Sequence, residues 1–220
     1  MREKFMEQLI KLHNELTSMG YMCQKAIALA MEGLLDGKKD SCHKAIVLAK
    51  ETDEAEKNVE NLCLKMILQQ QPVASDLRKI SAGLKMVTDM ERMGDQAEDI
   101  AEIALGHRVG DWPKKVDLEA MSKEAISMVH KAVKAYVDND LDLAKEVMAQ
   151  DDVVDQYFET IQNQLIGFLA EDKTGAYIVD VLMVAKYLER IGDHAVNVAE
   201  WVEYAVTGVH KGHPDQLPLC

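Results

Sequence analysis

The sequence predicts an all-α chain: two tandem, structurally similar three-helix bundles, six long helices related by an internal duplication. Three observations predict it. Apolar residues recur with helical periodicity almost throughout the 220 residues. The four prolines, Pro72, Pro113, Pro214 and Pro218, all fall outside the long periodic segments, as they must if each would break a helix interior at ~3 kcal/mol. Finally, one twelve-residue segment occurs twice.

The elements follow in order. Helix one spans about Glu3 to Leu35, with Leu9, Leu12, Leu16, Met19, Cys23, Ala26 and Ala30 along one side, and Asp36-Gly37 ends it. Helix two runs from about Asp40 to Gln70, where Pro72 breaks the chain. Helix three starts near Ser75 and runs to about Leu105. Residues Gly106 to Asp117 hold two Gly and a Pro without apolar period, and mark the boundary between halves. Helix four covers about Leu118 to Val137, and Asp138-Asn139-Asp140 is the turn. Helix five covers about Leu141 to Ala170, Asp172 to Gly175 is the second turn, and helix six covers about Tyr177 to Val206. Repeat one is thus expected over residues 1–107, repeat two over 117–208, and a frayed tail over 209–220.

Glu91 to Glu102 reads ERMGDQAEDIAE and Glu189 to Glu200 reads ERIGDHAVNVAE, with seven of twelve positions identical. Chance would give about one. The offset is 98 residues. On helices two and five, Asp53, Glu56 and Glu60 correspond to Asp152, Asp155 and Glu159, an offset of 99. A duplication of this length fixes the architecture before any residue-level argument.

Composition narrows the function. Apolar residues make up 48% and charged residues 29%, which suits a globular chain. Aromatics are only 5% while Ala, Leu and 13 Met are plentiful, the make-up of a helix-bundle core and not of a sheet. A net charge of −13 repels nucleic acid and anionic lipid on average, and favours cations or a basic partner surface. No run approaches the ~18 apolar residues of a membrane span, and the first ten residues do not read as a signal peptide. Cys23, Cys42, Cys63 and Cys220 have no framework spacing and are expected to be reduced cytosolic thiols, three of them packing residues.

Chemistry concentrates in the acids. At about 100° per residue, Glu91, Asp95, Glu98, Asp99 and Glu102 fall within about 100° of arc. In the second copy Glu189, Asp193 and Glu200 hold the same places, with Asn197 and Val196 replacing two acids. Asp53, Glu56 and Glu60 form one face of helix two, and Asp152, Asp155 and Glu159 one face of helix five. Like charges at i,i+4 cost about 0.2–0.5 kcal/mol each on an exposed helix, and more when partly buried. Keeping that crowding in both copies points to a compensating cation, and carboxylate-only clusters suit hard or borderline divalent ions such as Mg2+, Ca2+, Mn2+ or Fe. The bland alternative is a solvated acidic face, with Arg92 or Arg190 pairing some of the acids. Gly94 and Gly192 sit mid-helix at equivalent places, where close approach to another helix is the best reason for them. His194 points about 100° away from Asp193, and is expected to support the acids or meet solvent, not to ligate. No ExxH, P-loop, GxGxxG or GxSxG pattern occurs.

The segments QQPVASDLRKI, KMVTDMERMGDQAEDIAE and YLERIGDHAVNVAE resemble the PhoU family of phosphate-transport regulators, and the resemblance runs from the first helix to about Val206. It implies an all-α, cytoplasmic accessory protein that regulates phosphate uptake and the phosphate-sensing two-component system, holding signalling off when phosphate is plentiful. The implied partners are the ATPase subunit of the phosphate ABC transporter and the sensor histidine kinase. A homodimer is expected from the Met-rich faces. The family's (E/D)xxxD metal motif is matched by Glu91 with Asp95 and by Glu189 with Asp193, with Asp53, Glu56, Asp152 and Asp155 on the second helices. The implied ions are divalent: Fe, Mn, Zn or Mg. Gln96 stands where the family often has the His seen here as His194, and Val196 and Asn197 thin the second stripe, so the second site is expected to bind more weakly or take fewer ions. The alternative from another class is an all-α, Mg-dependent nucleotide pyrophosphohydrolase. It needs basic residues converging on a triphosphate, whereas this chain has only Arg2, Arg78, Arg92, Arg108 and Arg190, and no basic cluster by its acids. A third reading is an interaction scaffold without metal.

Overall fold

The computed structural model of the chain describes residues 2–70, 72–106, 116–171 and 175–209. Six helices account for them: α1 (Arg2–Asp36), α2 (Lys39–Gln70), α3 (Ala74–Leu105), α4 (Leu118–Asp138), α5 (Leu141–Glu171) and α6 (Gly175–Thr207), with no strand among the described residues. Their ends match the expected ones to within a residue or two, the usual fraying of a helix terminus. The connection expected at Gly106 to Asp117 lies outside the described residues from 107 to 115. So do 172–174 of the second turn and 210–220 of the tail, which includes Cys220.

Local chemistry sets the turns. Gly37 takes a positive φ of 68° after α1, and Asn139 does the same at 52° after α4, the left-handed stop that Gly and Asn make with least strain. Asp140 then caps α5: its Oδ1 accepts from the backbone N–H groups of Asp142 and Leu143, each at 3.0 Å, filling donors that the first turn leaves unpaired. In the α1–α2 turn, Glu32 accepts from Lys38 Nζ at 2.8 Å and from Ser41 Oγ at 2.6 Å.

The helices α1, α2 and α3 pack on one another, as do α4, α5 and α6. The halves then join along two lines, α3 on α6 and α1 on α4. One continuous apolar core runs through both, with Leu16, Met19, Met86, Met90, Met93, Met121 and Met128 fully enclosed. Methionine fills the irregular gaps where three helices meet. Cys23, Cys42 and Cys63 are buried free thiols. Burial pushes Cys23 and Cys63 up to about 12, so they serve as packing residues.

The α3–α6 seam carries the duplication's symmetry. Asp89, 8% exposed, accepts from Asn197 Nδ2 at 2.9 Å and lies 2.9 Å from His194 Nδ1. Across the same seam Tyr187 lies beside Asp99, whose charge, after burial, pushes the Tyr187 hydroxyl above its ordinary value. Adding 98 to Asp89 gives Tyr187, and to Asp99 gives Asn197, so the two contacts are copies of one another, and they run in opposite senses along two antiparallel helices. This corrects two expectations. His194 does more than support the acid stripe or meet solvent: with its side chain 14% exposed, it ties one half to the other. Asn197 is not a thinned ligand position either, because its side chain and that of its counterpart Asp99 both point into the seam.

Candidate metal centre

The first carboxylate cluster is built by a close approach of α2 and α3. Gly94 lies between Glu91 and Asp95, and Thr52 precedes Asp53. A Cβ placed on Gly94 would come within 2.3 Å of Thr52 Oγ1, so only glycine lets the helices meet here. Thr52 is fully buried and turns its hydroxyl to donate to the carbonyl of Ala49 at 2.6 Å. That contact sets the spacing of the neighbouring acids. Asp53, Glu91 and Asp95 each bring a carboxylate oxygen within 4.8 Å of the others.

Crowding shows in their chemistry. Burial, then Asp95, Glu56 and Asp53, push the Glu91 carboxyl up to about 7. Asp95 is raised by burial, then by Asp53 and Asp99, and Glu56 by burial and Glu60. Among the described residues no ion pair reaches Asp53, Glu56, Glu91 or Asp95. Neither Arg92 nor Arg190 pairs with any acid there. Three convergent oxygens without a cationic side chain among them are a donor set suited to a hard or borderline divalent ion.

The five-acid stripe expected along α3 does not stay together. Glu91 and Asp95 enter the cluster, Glu98 lies 3.9 Å from Lys50 Nζ, Asp99 turns to Tyr187, and Glu102 is exposed. The helical wheel placed all five on one face. It did not show that this face meets α2 at one edge and α6 at the other.

The second cluster is differently made. Gly192 is less tightly approached, a Cβ there lying 3.4 Å from Asp151 Oδ1 and 3.5 Å from Val154 Cγ1, so α5 and α6 stand further apart. Asp151 occupies the place of Thr52 and was not among the expected ligands, although the offset of 99 residues marks it in the sequence. Burial, then Asp155, Asp193, Asp152 and Glu189, push it up to about 6. Asp155 is raised by burial and Glu189, and Asp193 by burial and Glu189. Asp152, Asp155, Glu189 and Asp193 therefore share one field with Asp151. Among the described residues, however, no three of these acids bring oxygens as close together as the first cluster does. Lys186 Nζ is ion-paired with Glu189 Oε2.

A family model described as the PhoU domain matches this chain twice, over residues 16–104 and 118–202. A phosphate-specific transport system accessory protein PhoU homolog of Clostridium acetobutylicum is 39% identical over 213 residues, covering 94% of this chain and 96% of that protein. The phosphate-specific transport system accessory protein PhoU of Escherichia coli is 30% identical over 212 residues, covering 96% and 88% respectively. The crystal structure of PhoU from Pseudomonas aeruginosa superimposes with a TM-score of 0.89 at 31% identity, covering 93% of this chain and 100% of that one.

Proposed function

The chain belongs to the PhoU family, and on that premise we propose that it is an accessory regulator of phosphate-specific transport and of phosphate-responsive signalling whose first acid cluster holds a divalent cation. The role comes from the relatives, named as accessory proteins of the phosphate-specific transport system. Its partners are the cytosolic ATPase subunit of the phosphate ABC transporter and the phosphate-sensing histidine kinase. Regulation requires that the chain bind one state of a partner more tightly than another. The same reading places the chain in the cytoplasm, where both partners present their soluble faces, and makes it a homodimer whose mass in solution is the check.

The cation rests on one observation: three carboxylate oxygens from α2 and α3 converge within 4.8 Å, on acids that no ion pair reaches among the described residues. Asp53, Glu91 and Asp95 would hold the ion and Glu56 would lie beside it. Fe, Mn, Zn and Mg are the candidates. A bound divalent ion supplies charge neutralisation and ties α2 to α3. The acids act as a binding and stiffening device, not a hydrolytic one. A nucleotide pyrophosphohydrolase needs basic side chains around a triphosphate, and the relatives give that alternative no support.

Affinity capture from a phosphate-replete culture, with this chain as bait, should recover the transporter's ATPase subunit or the sensor kinase. Recovery of neither overturns the regulatory role. Dialysed protein should melt higher on adding Mn2+, by about 2.7 kcal/mol at a concentration a hundredfold above the dissociation constant. A midpoint indifferent to Mn2+, Fe2+, Zn2+ and Mg2+ overturns the metal.

A further inference from the structure

The two clusters differ in a further respect that the duplication makes plain. Position 88 on α3 is Thr88, and 98 residues on it is Lys186 on α6. Position 59 on α2 is Val59, and 99 residues on it is Phe158 on α5. The second half alone therefore carries a lysine over an aromatic ring beside its acids. Lys186 Nζ lies 5.4 Å from the centroid of Phe158 and is ion-paired with Glu189, whose side chain is only 16% exposed. Thr88 instead carries no charge, and its hydroxyl donates to the carbonyl of Leu84 at 3.4 Å.

We infer that Lys186 is the built-in counter-cation of the second carboxylate cluster, so that the chain's metal occupies the first cluster while in the second the ammonium holds the metal's place on Glu189. This rests on the first cluster being a divalent-ion site, as proposed above. An ammonium in contact with Glu189 opposes a divalent ion in the same field, because its charge and the ion's repel across a few ångströms of partly desolvated space. It also occupies a lone pair that the ion would need. The face of Phe158 favours a cation over it and holds the ammonium on the cluster side. Asp151, which replaces Thr52, adds one negative charge to the second cluster where Lys186 adds one positive charge. The two substitutions leave the second cluster with the net charge of the first, so it is the ammonium seated on Glu189, and not a lower total charge, that sets the two apart. The weaker second site expected from Val196 and Asn197 thus has another cause, since Asn197 faces the seam.

Mn2+ binding to the dialysed full chain, followed by equilibrium dialysis and by the melting midpoint, tests this. The wild type should show one tight class of site, lost in Glu91→Gln. Lys186→Met should lower the metal-free midpoint and create a second class of site at least tenfold tighter than anything the wild type offers there. Lys186→Arg, which keeps the charge, should leave the wild-type stoichiometry. The reciprocal Thr88→Lys, which keeps every acid, should weaken the first site at least tenfold. Failure of the wild type to bind Mn2+ at all overturns the metal reading itself. Two equal classes in the wild type, unchanged by Lys186→Met, overturn the inference while leaving that reading standing. If Lys186→Met does not fold, the Thr88→Lys result decides alone.

Discussion

Replacing Gly94 and Gly192 by alanine, one at a time, should move stability in opposite directions although the two residues occupy the same place in the duplicated segment. Any such change gains about 1 kcal/mol of helix propensity. At Gly94 the new Cβ would sit 2.3 Å from Thr52 Oγ1, an overlap of about 1 Å against ordinary carbon–oxygen contact. Thr52 is fully enclosed and its hydroxyl is engaged with Ala49. Rotating it away breaks that bond inside the core at about 1–3 kcal/mol, and moving α2 instead costs about the same in overpacking. The net loss is up to about 2 kcal/mol, or as much as roughly 8 °C at the 2–4 °C per kcal/mol typical of this size. At Gly192 the nearest atom is 3.4 Å away, which a methyl tolerates, so the midpoint should rise by about 2–4 °C. The assay is thermal unfolding of EDTA-dialysed protein, read by circular dichroism. Moving α2 also displaces Asp53 from Glu91 and Asp95, so Gly94→Ala should blunt the rise in midpoint on adding Mn2+ while Gly192→Ala leaves it alone. Equal shifts of one sign in the two variants would refute the claim that close helix approach at Gly94 is what assembles the first cluster.

The crowded acids set a pH dependence. Glu91 in the folded chain holds its proton up to about pH 7, whereas unfolded it ionises near its ordinary value of 4.5. Between those limits the folded state binds more protons, so the metal-free protein should lose stability as pH rises from about 4.5 to 7 and level off above. Solvent screening of these half-exposed groups holds the loss to about 1 kcal/mol, and a midpoint that climbs across this window contradicts the account. Glu91→Gln should stabilise the metal-free protein at pH 7.5, flatten that slope, and remove the rise in midpoint that Mn2+ gives. A variant that still responds fully to Mn2+ excludes Glu91 as a ligand. At the seam, Asp89→Ala leaves His194 and Asn197 without their shared acceptor and should cost about 1–3 kcal/mol, while Tyr187→Phe, which keeps the ring, should cost about 0.5–1.5 kcal/mol. Equal losses from both in chemical denaturation would count against Asp89 as the main polar tie between halves.

Periodicity along the chain was enough to place six helices, and the pair of ERxGD segments was enough to show that they come as two sets of three. Both are local properties: a helix is specified by neighbours three and four residues apart, and a repeat by comparing the chain with itself. The acids of the first cluster were recoverable the same way, since i,i+4 spacing puts Glu91 and Asp95 on one face and Asp53 on the face opposite them. Which acids share a site depends on partners some 40 or 100 residues away, and no period records that. Asp99 and Asn197 leave the stripe because α3 and α6 cross there. Asp89 finds His194 across the seam. Asp53 closes on Glu91 because Gly94 and Thr52 allow two backbones to touch. Lys186 pairs with Glu189 three residues along α6, which is local, but only packing brings Phe158 of α5 under the ammonium. Helices form from short-range geometry, but the separation between two of them is set by the smallest side chains in contact. That separation decides whether neighbouring carboxylates meet around one ion or remain apart.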